Sequence, residues 1–594
     1  MKELEYPFDG EYLLKKKRKL KKELENKDKN LKINIAILGG STTDLVKQMI
    51  ELFLLNIGIS PSFYETEYNK YYEEALFPSD ELIEFCPDII YIHTTYRNIE
   101  NLPRLHETTV EIEKKLDLEL DKYTSMWNNL ASTFSCPIIQ NNFEFPLYRP
   151  LGNTEASDSH GMINYITNLN LKIYNHVEKT ENLYINDINY LSAQYGLQEW
   201  ADPHYWYMYK YAVNISAIPM LAYNLSNIIK SIFGKNKKVL VLDLDNTLWG
   251  GVIGDEGVEN IVLGEETPLG QAYLDFQSYI KNIKDLGIVL TVSSKNDYDN
   301  AVEGLRHIDS KLSPDDFVMI KANWMPKNDN ILDMSEELAL NIDSFVFIDD
   351  NPAERELVEK QLPGISVPHI DVVENYASTI DRAGFFEVTK ITAEDTKRTQ
   401  MYQSNTKRKE LQSSFANYNE YLESLDMIAT IGLFEDVYIE RIAQLTNKSN
   451  QFNLTTKRYT NDEISVIADK DNYLTQYGRL SDRFGDNGLV SIAIGKIQED
   501  TVSVELWLMS CRVLKRNMEH AMMDAFVERA KMKGINKIIG HYYPTKKNSM
   551  VKNFYQDMGF EKINEDEEGN TDWLLVIDKY SKLQNIIEVE GSNE

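Results

Sequence analysis

A chain of several α/β domains is expected from three features of this sequence. Its 594 residues exceed the size at which a single core stops growing. Apolar runs of strand length recur at 32–38, 88–93, 137–142, 239–248, 287–294 and 344–348, with helical stretches between them. Strands alternating with helices imply parallel sheets, and continuous apolar runs mark strands covered on both faces. The composition, 42% hydrophobic and 26% charged, is that of an ordinary globular protein. Pattern shifts place a charged N-terminal helix at 1–31, α/β domains at 32–232 and 233–395, and a polar helical linker at 396–425. A last α+β domain follows at 426–585, and an acidic tail at 586–594.

The run Val239-Leu-Val-Leu-Asp243-Leu-Asp245-Asn-Thr247 carries the most chemistry. Two carboxylates two residues apart at a strand's end point to the same side. That pairing suits a reaction in which one Asp attacks phosphorus and the other moves a proton, with a metal neutralising both. The alternative is a capped turn, where Asp, Asn and Thr are common. Three downstream pieces complete the first reading. The second strand ends in Ser293-Ser294-Lys-Asn296, Lys327 follows Asn323-Trp-Met-Pro, and the third strand ends in Asp349-Asp350-Asn-Pro. Ser294 offers a hydroxyl to a phosphoryl oxygen, and Lys327 a fixed positive charge. Mg2+ accepts two or three carboxylate or carbonyl ligands and keeps its waters, so Asp243, Asp245 (through its carbonyl), Asp350 and Asp349 are the candidate ligands. Ligands of open α/β sheets bind beyond the carboxyl ends of the strands, where these pieces meet.

Together and in this order the motifs resemble the haloacid dehalogenase (HAD) superfamily. The resemblance implies Asp243 as nucleophile, Asp245 as general acid and base, Thr247, Ser294 and Lys327 as phosphate-binding residues, and Mg2+ as cofactor. Only about fifty residues separate Asp243 from Ser294, and one helix, 269–286, fills much of them. No large cap domain fits there. An uncapped site implies a substrate presented by a larger molecule, or a partner protein as lid.

Composition sets further limits. No apolar run approaches the ~18 residues of a membrane span, and the charged N-terminus shows no secretory signal pattern. Three scattered cysteines, Cys86, Cys136 and Cys511, suit a reducing cytoplasm and form neither a disulfide framework nor a zinc site. With 93 acidic against 63 basic residues, net −30, nucleic-acid binding is not expected. Seven bases in the eight residues 15–22 are a local exception. They read as the solvated face of a helix, with docking of an acidic partner as the alternative.

In the first domain, Gly39-Gly-Ser41-Thr-Thr after the first strand resembles the nucleophile turn of SGNH hydrolases, and Asp202-Pro-His204 stands near that family's Asp-x-x-His. The spacing is one residue shorter and Gly-Gly-Ser replaces Gly-Asp-Ser, so a non-catalytic binding or interaction domain is expected. In the last domain, strand 502–511, the turn Arg512-Val-Leu-Lys515-Arg-Asn517 and helix 518–532 resemble the GNAT acyltransferase fold. That family's turn presents backbone N–H groups at a helix N-terminus to a pyrophosphate. Lys515 and Asn517 occupy its two glycine positions. Tyr555 stands where that family often has a general acid, and a buried aromatic is the alternative.

The order SGNH-like, uncapped HAD-like, GNAT-like, with Asp-Leu-Asp-Asn-Thr-Leu-Trp-Gly-Gly, Asn-Gln-Phe-Asn-Leu-Thr-Thr and Asp-Arg-Phe-Gly-Asp-Asn-Gly, resembles the FkbH-like family over nearly the whole chain. This implies transfer of a glyceryl group from D-1,3-bisphosphoglycerate, through an enzyme thioester, to an acyl carrier protein. The family's second strand commonly ends Cys-Ser-Lys-Asn, and here Ser293 replaces the thiol. A serine in that place needs a base to activate it. Two alternatives stay open: a plain phosphatase acting on a carrier-bound or sugar phosphate, and a non-enzymatic scaffold.

Overall fold

The apolar runs fold into three sheets. A computed structural model describes residues 1–26, 31–391, 397–415, 417–449, 451–510, 513–545 and 547–591. The chain divides into two units, Met1–Ile232 and Phe233–Glu594. The fold class is the expected one, parallel α/β sheets followed by an α+β sheet.

In the first unit, strands β1 (Leu31–Gly39), β2 (Ile59–Glu65), β3 (Ile89–His93), β4 (Ile138–Asn141) and β5 (Leu183–Asn186) run parallel in the order β2-β1-β3-β4-β5. The basic N-terminal segment is a helix, Gly10–Glu25, that buries Leu13, Leu20 and Leu24 and leaves its lysines outside. Ion pairs to Glu11, Glu23 and Glu51 engage three of them, Lys15, Lys19 and Lys21.

The carboxyl ends of β3 and β4 carry fully buried polar groups. Burial pushes the His93 imidazole down to about 4 and the Glu144 carboxyl up to about 7. Glu144 is therefore bound more tightly as the acid than it is in the unfolded chain. Its contribution to stability is complete below the ordinary carboxyl range and is lost as pH rises through about 7. Glu144→Gln mimics the protonated form, so between pH 4.5 and 8 the variant is expected to gain about 3 kcal/mol on the parent. Chemical denaturation of both full chains at the two pH values reads this difference.

In the second unit, β6 (Val239–Leu242), β7 (Val289–Ser294), β8 (Met319–Ala322) and β9 (Phe345–Ile348) form a parallel sheet in the order β8-β7-β6-β9. Its central strand is apolar throughout because both faces are covered. Leu240 and Leu242 join a cluster with Leu290, Val292, Val346 and Ile348, and Val239 and Val241 join the opposite one with Val289, Phe345 and Phe347. Between β6 and β7 the main element is helix Pro268–Asp285, started by Pro268 and capped by the Thr267 hydroxyl accepting from the Gly270 N–H. A short bridge between Gly250 and Val262 precedes it. No cap domain is inserted there, or between β8 and β9, where the helix Lys327–Leu338 makes the crossover.

The third sheet contains β10 (Ile428–Gly432), β11 (Phe452–Asn453), β12 (Tyr473–Asp482), β13 (Gly485–Gln498), β14 (Thr501–Met509), β15 (Lys537–Tyr542), β16 (Glu561–Glu565), β17 (Thr571–Val576) and β18 (Glu588–Gly591). Its path is β16-β17-β15-β14-β13-β12-β10-β18, antiparallel except for the pairs β14–β15 and β10–β18. Helix Met518–Met532 packs Met518, Met522, Met523 and Phe526 into the core on one face. The pairing of β14 with β15 stops at Val504–Gly540, and the two strands then diverge. Phe452 and Asn453 pair with Met509 and Leu508, and Leu454 bridges the Trp507 carbonyl to the Tyr543 N–H. The chain itself thus fills the wedge between the strands.

One sequence expectation changes here, and another gains an anchor. Residues 588–591, placed in an acidic tail, form a strand, because β10 would otherwise leave a row of backbone groups unpaired at the sheet edge. In the linker, helix Arg398–Ser413 is anchored by buried Arg408, which forms a two-pronged pair with Asp482 at 2.8 and 2.6 Å. Among the described helices, none is long and apolar enough to cross a membrane.

Candidate functional site

The motif residues of the second unit converge at the carboxyl end of its parallel sheet. Asp243 follows β6 directly, and its backbone N–H donates to the Ile348 carbonyl of β9. Register pairs Leu242 with both Val292 and Ile348, so Asp243, Ser294, Asp349 and Asp350 emerge at one level. Lys327 begins its helix after Pro326 and buries its ammonium between two carboxylates, 2.8 Å from Asp243 Oδ2 and 2.5 Å from Asp349 Oδ2.

The other oxygen of Asp243, Oδ1, is buried and has no hydrogen-bond partner. A buried carboxylate oxygen without a donor is costly unless a ligand supplies one. Ligand atoms of Asp243, Asp349 and Asp350 lie within 4.8 Å of one another, so the three carboxylates fit a metal ion. Their crowding has electrostatic consequences. Burial first, and then the charge of Asp243, push Asp349 up to about 6 and raise Asp350. The same two carboxylates, Asp243 and Asp349, raise Lys327 against the opposing effect of its burial. A divalent cation would relieve this repulsion.

Asp245 points into a different set of contacts. Its Oδ1 accepts from the Trp249 indole N–H at 2.9 Å and the Ile253 N–H at 3.2 Å, and its Oδ2 from the Asn296 amide at 3.1 Å. Burial raises its pKa despite these donors. A carboxyl held near the nucleophile with raised affinity for a proton suits acid–base work. The Thr247 hydroxyl accepts from the Asp350 N–H at 3.2 Å, tying the two strand ends together. Ser294 is buried at the end of β7. Ser293 is fully buried, and its hydroxyl accepts from the Asn330 amide at 3.4 Å. An amide N–H donates and cannot take the hydroxyl proton, so this contact supplies no base.

Sequence reasoning named Trp249, Asn330 and Arg355 without giving them a role, or passed them over. Trp249 reads as core, and its ring is indeed fully buried, yet its N–H fixes Asp245. Arg355 reaches back from helix Pro352–Gln361 to donate to the Asp349 and Asp350 carbonyls at 2.6 and 2.7 Å. Its spacing after Asp-Asp-Asn-Pro was the available signal.

The remaining candidates belong to the first unit and to the last domain. In the first unit, Ser41 is buried with its hydroxyl unpartnered, while His204 is exposed. The Asp202 carboxylate accepts from the His204 backbone N–H at 2.8 Å, capping helix Pro203–Tyr209 instead of orienting the imidazole. This is the use that the shortened Asp-Pro-His spacing favours. In the last domain, Lys515 and Asn517 both adopt φ +62°, the left-handed backbone natural to the glycines they replace. Lys515 is exposed, whereas Arg516 is buried against Asp482 at 3.1 Å and does not face outward as a phosphate partner would. Tyr555 is a core aromatic, packed edge-on or tilted against Phe554, Phe560 and Trp573, and burial drives its phenol upward. A proton donor needs access to a reacting group, which this packing denies it. Cys511 and Arg512 lie outside the described residues.

Residues 34–230 match the family model of the FkbH N-terminal domain. The N-terminal part of the protein BF1531 from Bacteroides fragilis, containing a phosphatase domain complexed with Mg, is 28% identical with a TM-score of 0.58, covering 63% of this chain and 99% of that chain. The ribosomal-protein-S18-alanine N-acetyltransferase from Escherichia coli (13% identity, 25% of this chain and 94% of that chain, TM-score 0.20) also matches. So does Ard1 from Thermoplasma volcanium (17% identity, 25% of this chain and 97% of that chain, TM-score 0.19). At those scores neither bears on function. No curated protein matches the chain. The Asp243 cluster is a carboxylate centre whose three side chains could hold a metal ion.

Proposed function

We propose that this FkbH-like chain is a Mg2+-dependent enzyme that processes an acyl phosphate such as D-1,3-bisphosphoglycerate for an acyl carrier protein in the cytoplasm. Asp243 takes the phosphoryl group of its phosphate ester. An acceptor thiol attacks the acyl carbonyl, breaking the carbon–oxygen bond and releasing the other phosphate, so that the acyl group is kept as a thioester. The observation that carries the phosphoryl step is the unpartnered Oδ1 of Asp243, beside a buried Lys327 and near Asp245, whose affinity for a proton burial raises. Asp243 attacks phosphorus, the P–O bond to the leaving group breaks, and an aspartyl phosphate forms. Lys327 pairs with charge on the transferring group. Asp245 protonates a leaving alkoxide, or later removes a proton from the water that hydrolyses the intermediate. Asp243, Asp349 and Asp350 would hold Mg2+, which would neutralise charge on the phosphoryl oxygens. The missing cap supports a carrier-borne group, because an arm reaching from another protein needs an open mouth.

A second reading, a plain phosphatase on a carrier-bound or sugar phosphate, is favoured by Ser293. Its hydroxyl meets an amide donor and no base, which leaves the acyl group without an obvious acceptor at this centre. Incubation with 1,3-bisphosphoglycerate, Mg2+ and candidate carrier proteins separates the two by intact mass. A glyceryl adduct on a carrier is the expected result. Phosphate release without any adduct defeats carrier loading and leaves the phosphatase.

A further inference from the structure

The mixed sheet of the last domain carries a second cluster of chemistry-bearing side chains, a hydroxyl, an imidazole and a carboxylate, away from the Asp243 motif in sequence. Ser503 on β14, His541 on β15 and Asp572 on β17 lie side by side on one face of three adjacent strands. The Ser503 hydroxyl is 2.8 Å from His541 Nε2, and His541 Nδ1 is 2.7 Å from Asp572 Oδ1. His541 and Asp572 are direct cross-strand partners, so backbone pairing fixes their spacing. The second oxygen of Asp572 accepts from the Asn564 amide at 3.1 Å, which holds the carboxylate in place.

A carboxylate only accepts hydrogen bonds, so in the neutral ring the proton sits on Nδ1 and the lone pair on Nε2. That lone pair faces the serine hydroxyl, the relation by which a histidine activates a serine nucleophile. The group is reachable, with side chains of His541 and Asp572 23% and 31% exposed. A purely structural link between strands has no need of this order of donor and acceptor.

We propose that Ser503, His541 and Asp572 form a serine-nucleophile site for carboxylic esters or thioesters. The Ser503 oxygen attacks the acyl carbonyl as its proton passes to His541 Nε2. The bond from carbonyl carbon to the leaving oxygen or sulfur breaks, and His541 returns the proton to that leaving group. The product is an acyl-serine, which water or an acceptor hydroxyl or thiol then cleaves by the reverse sequence. Ser503 and His541 are the catalytic residues, and Asp572 is a positioning residue. The site does not depend on phosphoryl chemistry at Asp243.

The full chain, treated with a fluorophosphonate probe at pH 8 and digested for peptide mapping, tests this directly. Modification is expected at Ser503, together with p-nitrophenyl acetate turnover. His541→Ala is expected to slow both by about a hundredfold or more. Asp572→Asn is expected to slow them less, while displacing the pH profile set by the imidazole. Absence of an adduct, an adduct at any other residue, or labelling that survives His541→Ala overturns the proposal. Mapping on the unaltered chain decides the matter even if a variant fails to fold.

Discussion

Asp243→Asn is expected to reduce phosphate release from acetyl phosphate or p-nitrophenyl phosphate by more than about a thousandfold, the scale on which loss of a nucleophile acts. The amide keeps the size of the side chain and removes both its nucleophilicity and its charge. No phosphoryl adduct should then appear in the intact mass. The unaltered protein, quenched in acid during turnover, should show one. Asn at this position also leaves Asp349 and Asp350 as the only carboxylates of the three-residue cluster, so Mg2+ affinity should fall alongside. Calorimetric titration measures that separately from turnover. Residual activity near the parent's would exclude Asp243 as the attacking group.

Lys327→Met is expected to have the largest effect on stability. The lysine side chain is 3% exposed and pairs with two carboxylates, of which Asp349 is wholly buried. Removing one partner of a buried ion pair strands the other charge, at a cost of about 3–5 kcal/mol. Here two charges are stranded in one place. The variant should therefore melt well below the parent in chelator. It should also recover more than the parent when Mg2+ is added, because a cation among Asp243, Asp349 and Asp350 replaces the lost charge. Thermal melts of both proteins, with chelator and with Mg2+, give the comparison. Equal Mg2+ shifts in the two would exclude a shared electrostatic site for lysine and metal.

Much of the Asp243 centre was legible in the sequence, for a physical reason. A parallel strand covered on both faces is apolar throughout, so β6, β7 and β9 announce themselves, and the polar residues that interrupt each run mark the strand ends. Asp243, Ser294 and Asp349 sit at those interruptions. Lys327 was readable because it stands alone after Asn-Trp-Met-Pro, where a helix starts.

Other features left weaker traces. Trp249 looks like any core aromatic, and only the folded turn shows its N–H aimed at Asp245. Ser503, His541 and Asp572 are spread over some seventy residues on three strands of a mixed sheet, and no spacing rule connects them. Lys515 and Asn517 read as obstacles to a glycine-type turn. The backbone nevertheless takes the left-handed conformation at both, a penalty that Asn tolerates better than Lys. The Asp202-Pro-His204 motif is the opposite case, a sequence with catalytic residue types whose shortened spacing leaves Asp202 to serve as a helix cap.

The short strand formed by Phe452 and Asn453 has a consequence for anything that would bind the last domain through an extended arm. Two diverging strands expose edges that an incoming chain can extend by backbone pairing. In this protein a covalently tethered segment already holds those edges, through Leu508, Met509, Trp507 and Tyr543. A tethered competitor acts at an effective concentration of about a millimolar or more, whatever the solution contains. An extended chain entering from outside therefore meets a competitor that dilution cannot remove. Only a partner that pulls the 452–454 segment aside would turn the wedge into a receptor.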